Sequence, residues 1–112
     1  MDVHKGVFMP VMPKDNVLDQ MEQMLNVASD FTRLKIMYAI SDSEKSVNEI
    51  VNEVGASQSL ISHQLKVLKR ANLVSRRKEG TKIYYFLSDE HVISLLNIVN
   101  EHVLEEMDED YE

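Results

Sequence analysis

Cysteine is absent from this 112-residue chain. That excludes disulfides, thiolate metal sites and thiol-based redox sensing, and it leaves His, Asp and Glu as the only strong metal ligands. No apolar run approaches the roughly 18 residues that span a bilayer, and the opening VFMPVMP has neither the basic flank nor the length of a signal peptide. A soluble, cytoplasmic protein with no membrane partner is therefore expected. No phosphate-binding glycine loop, convergent nucleophile and base, or open three-ligand metal motif is visible, which argues against an enzyme and against an organic small-molecule substrate. Pro10 and Pro13 are the only prolines, and residues 1–13, which lack a clear period, read as a flexible N-terminal arm. There is no internal repeat, and the only biased segment is the acidic C-terminus.

The chain fits one compact domain, with 44% apolar residues to build its core. Its formal charge of −7 argues at first against a nucleic-acid partner, since like charges repel at long range. The distribution reverses that conclusion. Between Ser57 and Lys82 seven basic residues face the single acid Glu79, a local charge of +6, while the remainder of the chain carries −13. Such segregation points to one anion-binding face on an acidic body, with residues 108–112 as a solvated acidic tail.

Spacings of three and four among Val17, Leu18, Met21, Met24, Leu25 and Ala28 predict an amphipathic helix over residues 15–28. Asp30 is placed to cap a second helix carrying Phe31, Leu34, Ile36, Met37 and Ile40. Ser46 and Glu49 make a capping box before Val47, Ile50, Val51 and Val54. Gly55 supplies a left-handed helix end, and Ser57 caps the next helix, whose expected buried stripe is Leu60, Ile61, Leu65 and Leu68. The segment NLVSRRKEGTKIYYFL then changes to a period near two, predicting strands over residues 73–78 and 82–87 about a turn at Glu79 and Gly80. Ser88 or Asp89 opens a last long helix.

Two helices joined by a short turn containing Gly55 fit the helix-turn-helix pattern, and the basic hairpin after them has the position of a wing. The expected architecture is mainly α with a β-hairpin wing, a winged helix-turn-helix over residues 14–107. Residues 57–78 contain no acid, unlike an ordinary mixed surface helix. Ser57, Gln58, Ser59, Ser62, His63, Lys66 and Lys69 offer groups that bind phosphates and base edges, with Arg76, Arg77, Lys78 and Lys82 of the hairpin gripping backbone alongside. The plainer alternative is a helical hairpin with a solvated basic face, in which His63 is simply an exposed polar residue.

On the last helix, DEHVISLLNIVNEHVLEE, His91 and His102 stand eleven residues apart, so both project from one face, about 16 Å apart along the axis. One ion cannot bridge that distance, because metal–imidazole bonds are about 2 Å long. Antiparallel pairing of two copies about an axis near Asn97 removes the difficulty. His91 then meets the other copy's residue 102, and Asp89 meets its residue 105, so that Asp89, His91, His102 and Glu105 converge twice per dimer. Val92, Leu95, Leu96, Ile98 and Val99 would form the dimer seam between the two clusters. Two nitrogens and two carboxylates suit Zn²⁺ or Co²⁺ in a closed binding site, although copper would bind such a set as well. The competing possibility is that these four are solvated rim residues of a plain seam.

With ASDFTRLKIMYAI, SQSLISHQLKVLKRANLV and KEGTKIYYFLSD preceding that helix, the chain resembles the ArsR/SmtB family of winged-helix repressors over about Leu25 to Glu105. The resemblance implies a homodimer that occupies operator DNA when metal-free and releases it on binding inducer, with efflux or resistance genes under its control. Asp89, His91, His102 and Glu105 are similar in spacing to the pattern of the family's zinc-sensing branch. Where the thiolate-using branches carry Cys-x-Cys, this chain has SVNEI. A nickel or cobalt sensor would draw further ligands from the chain ends, for which His4 is the only candidate. The resemblance also implies a coupling route, in which the free N–H of a metal-bound His102 fixes a backbone carbonyl near Asn72, just after the reading helix. A DNA-binding module of the same fold that ignores metal is the rival expectation.

Overall fold

The computed structural model describes residues 10–110. The described chain runs α1 (Asp15–Ala28), α2 (Phe31–Ala39), α3 (Val47–Val54), α4 (Gln58–Arg70), β1 (Val74–Glu79), β2 (Lys82–Leu87) and α5 (Glu90–Asp110). This is the expected order of helices and hairpin. None of the helices is long and apolar enough to cross a membrane among the described residues. The last helix continues through Asp110, into the stretch expected to be a separate acidic tail.

The helix ends follow local chemistry. The Asp30 carboxylate accepts the Arg33 N–H at 3.0 Å. Ser46 accepts from the Glu49 N–H at 3.3 Å while Glu49 accepts from the Ser46 N–H at 3.1 Å, which satisfies two free donors of α3 reciprocally. Gly55 ends α3 with φ of 79°, and Ser57 caps α4 through the Leu60 N–H at 3.2 Å. These are the boundaries that set the helix-turn-helix corner.

Helix α4 closes in a Schellman motif. Asn72 takes φ of 60°, its N–H reaches the Lys69 carbonyl at 3.0 Å, and the Leu73 N–H reaches the Leu68 carbonyl at 3.1 Å. Leu68 and Leu73, the apolar pair that accompanies this motif, are both fully buried. The motif turns the chain directly from the reading helix into the wing.

The core is built where three helices meet: Ile36 and Met37 from the second with Ile40 at its C-cap, Ile50 from the third, and Ile61, Leu65 and Leu68 from the fourth. Leu73, Val74 and Leu87 extend it under the hairpin, and Val92 and Leu96 seat α5 on it. Leu60 is a correction to the expected stripe, being 40% exposed. Ile61, Leu65 and Leu68 already complete one face at spacings of four and three, and Leu60 lies about 100° round the helix from Ile61.

Strand pairing runs from Val74↔Leu87 to Glu79↔Lys82, so the turn is Gly80 and Thr81, one residue later than expected. Glu79 remains in the strand, where its side chain meets that of Arg77 on the same face at 3.1 Å. Gly80 takes φ of 61°, the left-handed geometry required at the first position of a two-residue turn that matches strand twist. Lys45 adds one further rung beside β2, exchanging backbone hydrogen bonds with Tyr85 at 3.0 and 2.8 Å.

The left-handed backbone at residue 72 makes a stability prediction. Asn72→Gly should leave stability within a few tenths of a kcal/mol, whereas Asn72→Val should lower it by about 1–2 kcal/mol, because a branched Cβ is penalised there. Urea unfolding at fixed protein concentration measures both.

Candidate functional site

Every residue expected to read DNA from α4 is exposed except Ser62, which is half-buried. The buried ridge Ile61–Leu65–Leu68 fixes this outcome, since it turns Ser59, His63, Lys66 and Arg70 about half a revolution away from the core. Arg70 was not singled out from the sequence, although its spacing of four from Lys66 and seven from His63 is the signal that would have found it.

Beside this face lies a groove of about 820 Å³ between α4 and β1, lined among others by Ser62, Lys66, Lys69, Arg70 and Arg76. Four cations converge on it and no acid lines it. A trough of that charge, open along the exposed side of a helix, suits a polyanionic backbone. Strand alternation puts Arg76 and Lys78 on the hairpin face of Val74, and Arg77 on the opposite face. Arg77 is held there. Its guanidinium donates from Nε to the two oxygens of Glu44 at 2.9 and 2.7 Å, from a terminal nitrogen to Glu44, and from the other to Glu79 at 3.1 Å. Its carbon centre sits 4.9 Å from the centroid of the Tyr84 ring. Hydrogen bonding from Arg77 keeps the Glu44 carboxyl below the usual carboxylate range.

On the last helix, the Asp89 side chain accepts the His91 and Val92 N–H groups at 2.8 and 3.3 Å, making it the cap of α5. The same oxygen lies 3.4 Å from His91 Nδ1. Asp89 and His91 are thus brought together, with the imidazole 98% exposed. His102 Nε2 instead meets Glu106 Oε1 at 3.1 Å, so the structure does not pair His102 with Glu105. Among the described residues no three potential ligands of one chain gather at a point. His4 lies outside the described residues. Asn72, expected to take part in coupling, is the left-handed residue that ends the Schellman motif.

Four of the five apolar residues expected at a dimer seam divide into two sets, with Leu95 half-buried between them. Val92 and Leu96 are each only 6% exposed and belong to the core of their own chain. Ile98 and Val99 are 64% and 52% exposed, and Val103, Leu104 and Met107 continue the uncovered surface beyond them. The physical reason is that a helix lying on a domain surface buries one ridge inward, which periodicity alone cannot separate from a second, outward ridge. Val17, Met21 and Leu25 of α1 are also about half exposed, and an apolar groove of about 410 Å³ runs between α1 and α5, lined in part by Leu25, Tyr38, Leu95 and Val99. The Tyr38 hydroxyl donates to the Leu96 carbonyl at 2.9 Å at its floor.

Residues 30–76 match the model of a family described as bacterial regulatory protein, arsR family. The chain is 35% identical over 106 residues to the transcriptional repressor SmtB homolog of Synechocystis sp., covering 92% of this chain and 80% of that protein. This chain is a member of the ArsR family. It is also 38% identical over 84 residues to the cadmium resistance transcriptional regulatory protein CadC homolog of Staphylococcus aureus, covering 74% of this chain and 69% of that protein. Among solved structures it is similar to the homodimeric winged helix-turn-helix DNA-binding domain of Mb0332 from Mycobacterium bovis, a possible ArsR-family transcriptional regulator. The TM-score is 0.80 at 27% identity, over 89% of this chain and 95% of that one. As an ArsR-family protein the chain is a transcriptional regulator with a winged helix-turn-helix fold, and not an enzyme.

If the groove between reading helix and wing carries the DNA backbone, Lys66→Ala and Arg76→Ala should each weaken duplex binding. Each should also make the slope of log affinity against log salt shallower by about one, the loss of one phosphate contact. Fluorescence anisotropy across a salt series measures it.

Proposed function

We propose that this ArsR-family regulator is a metal-responsive repressor. It binds operator DNA as a metal-free homodimer and releases it when Zn²⁺, or Co²⁺ in its place, is held between the two last helices by Asp89, His91, His102 and Glu105. The observation that carries this reading is the placement on α5 of two exposed histidines, eleven residues apart on one face, with Asp89 already beside the first. Relatives named as an SmtB homolog and a cadmium resistance regulator support metal as the class of inducer. The donor set is borderline nitrogen and hard oxygen without thiolate, which fits Zn²⁺ or Co²⁺. Cytoplasmic action on metal efflux or resistance genes is part of the same proposal.

The dimer supplies what one chain lacks. An antiparallel pair with its axis near residue 97 apposes Leu95 of one chain to residue 98 of the other, using apolar side chains that the fold leaves at the surface or half-covered. It sets each Asp89–His91 pair against the other chain's residues 102 and 105. A divalent ion there would act as a cross-link between protomers at both ends of the seam. His102 Nε2 faces Glu106 in the single chain and would have to leave it for both ring nitrogens to serve, one on the ion and the other as the route by which the family resemblance ties the site to the backbone near Asn72. An ion that favours the dimer shape DNA disfavours weakens DNA binding by the same factor by which DNA weakens ion binding.

The test uses a duplex selected from a randomised library by the metal-free protein. Zn²⁺ should lower its affinity by about 5- to 150-fold, the range of ordinary coupling energies, with one ion bound per chain. His102→Ala should bind the duplex as wild type does and ignore Zn²⁺. Release of DNA by Zn²⁺ from that variant sinks the assignment, and a wild-type protein that binds DNA and is indifferent to metal establishes the rival, a metal-independent regulator of the same fold. Ile98→Asp should yield monomers in sedimentation experiments and lose Zn²⁺ binding with them.

A further inference from the structure

Within the reading of this chain as a DNA-binding regulator, we propose that Glu44, Arg77 and Tyr84 form a brace. It sets the angle of the wing against the reading helix, so that Glu44 and Arg77 position the hairpin and do not themselves contact phosphate. Arg77 has the look of a DNA contact in the sequence, being one of three consecutive cations on a basic hairpin. The geometry assigns it elsewhere. It projects from the hairpin face opposite Val74 and Arg76, crosses the Tyr84 ring opposite it in the register, and ends in a forked hydrogen bond to Glu44.

Charge supports the same assignment. One guanidinium shared by two carboxylates is a cluster of net −1, which repels a phosphate instead of recruiting it. Glu79, the single acid between Ser57 and Lys82, is spent on this cluster. The forked pairing of a planar guanidinium with a carboxylate is directional, and stacking on an aromatic ring removes further freedom, so the arrangement fixes an orientation even where a plain surface ion pair would contribute little.

Mechanically, the brace has a firm footing. Glu44 is followed by Lys45, whose backbone pairs with Tyr85 and whose ammonium group donates to the Ala39 carbonyl at the end of α2 and to Asp42 at 3.1 Å. Lys45 also lies 3.5 Å from Glu53 of α3. The loop is therefore tied to α2 and to α3, the first helix of the corner. At the base of the hairpin, Val74 and Leu87 are buried and Ser75 and Ser88 are hydrogen-bonded at 3.0 Å. Arg77 is the tie nearest the tip.

Two measurements test the brace. Amide hydrogen exchange of the metal-free protein without DNA should show residues 78–83 exchanging several-fold faster in Glu44→Gln than in wild type, with α4 protection unchanged. With the library-selected duplex, Glu44→Gln and Arg77→Ala should each weaken binding about three- to tenfold without changing the salt slope, and the double variant should be no weaker than the worse single one. Coupled residues lose their contribution once. Unchanged hairpin exchange overturns the brace whether or not the protein binds DNA. So does a salt slope made shallower by about one in Arg77→Ala, or tighter binding by Glu44→Gln, either of which would make Arg77 a phosphate contact restrained by a competing acid. A wild-type protein that binds no duplex would refute the DNA reading and leave the exchange result to decide the brace alone.

Discussion

Val92 and Leu96 fasten α5 to the core of its own chain, and that contact determines where every other side chain on the helix points. With 100° between successive residues, burying those two leaves Leu95 and Val99 at the margin of the covered ridge. Ile98, His91 and His102 lie further round, toward open solvent. The helix therefore has two apolar faces, one that folds the chain and one left at the surface, which the proposed dimer would cover. Tyr38 adds a directional tie to that ridge, its hydroxyl donating to the Leu96 carbonyl at 2.9 Å. If α5 turned by even one side-chain position, the histidines would leave the outward face and the apolar groove beside α1 would change its lining.

The features legible in the sequence were those whose cause is local. Asp30, Ser46, Glu49, Gly55 and Ser57 set helix ends through partners at most four residues away, and such pairs can be read from order alone. The basic face of α4 was legible for the same reason, because the buried ridge and its opposite face share one period. Four things were not. The hairpin turn moved by one residue because Glu79 pairs with Lys82 across the ladder, leaving Gly80, with its positive φ, and Thr81 as the turn. Leu60 left the core because Ile61 occupies the ridge position beside it. The pairing of Arg77 with Glu44, 33 residues earlier, was hidden because only the fold brings the two together. The division of the last helix into an inner and an outer ridge was also hidden, since a stripe of apolar residues does not say which neighbour each member touches.

Electrostatics organises the molecule into zones of opposite sign. Lys66, Lys69, Arg70 and Arg76 gather at one groove, while the acidic excess lies elsewhere in the chain. Such separation lets a protein with a formal charge of −7 present a polyanion with a local field of the opposite sign, and the acidic remainder discourages binding in any other orientation. The acids that do sit near the basic zone are paired in place, Glu44 and Glu79 with Arg77 and Asp42 with Lys45. Hydrogen bonding from those cations holds the Asp42 and Glu44 carboxyls below their usual range, so both pairs are fully charged at neutral pH.

Asp89 joins the two halves of the molecule's logic. Its carboxylate is required locally, to receive the first N–H groups of α5, where the helix dipole favours negative charge. That duty holds it against the backbone and beside the His91 ring before any ion is present. A ligand already fixed for a structural reason loses little further freedom on coordination, which raises affinity without a new contact. His102 differs, because its partner Glu106 must first be given up. The two ends of the proposed site are thus unequal in kind. One is built with the helix, and the other is drawn away from a pairing within its own chain. Under that proposal, a rearrangement on occupancy would fall at the His102 end, on the part of α5 beyond the Val92 and Leu96 anchor.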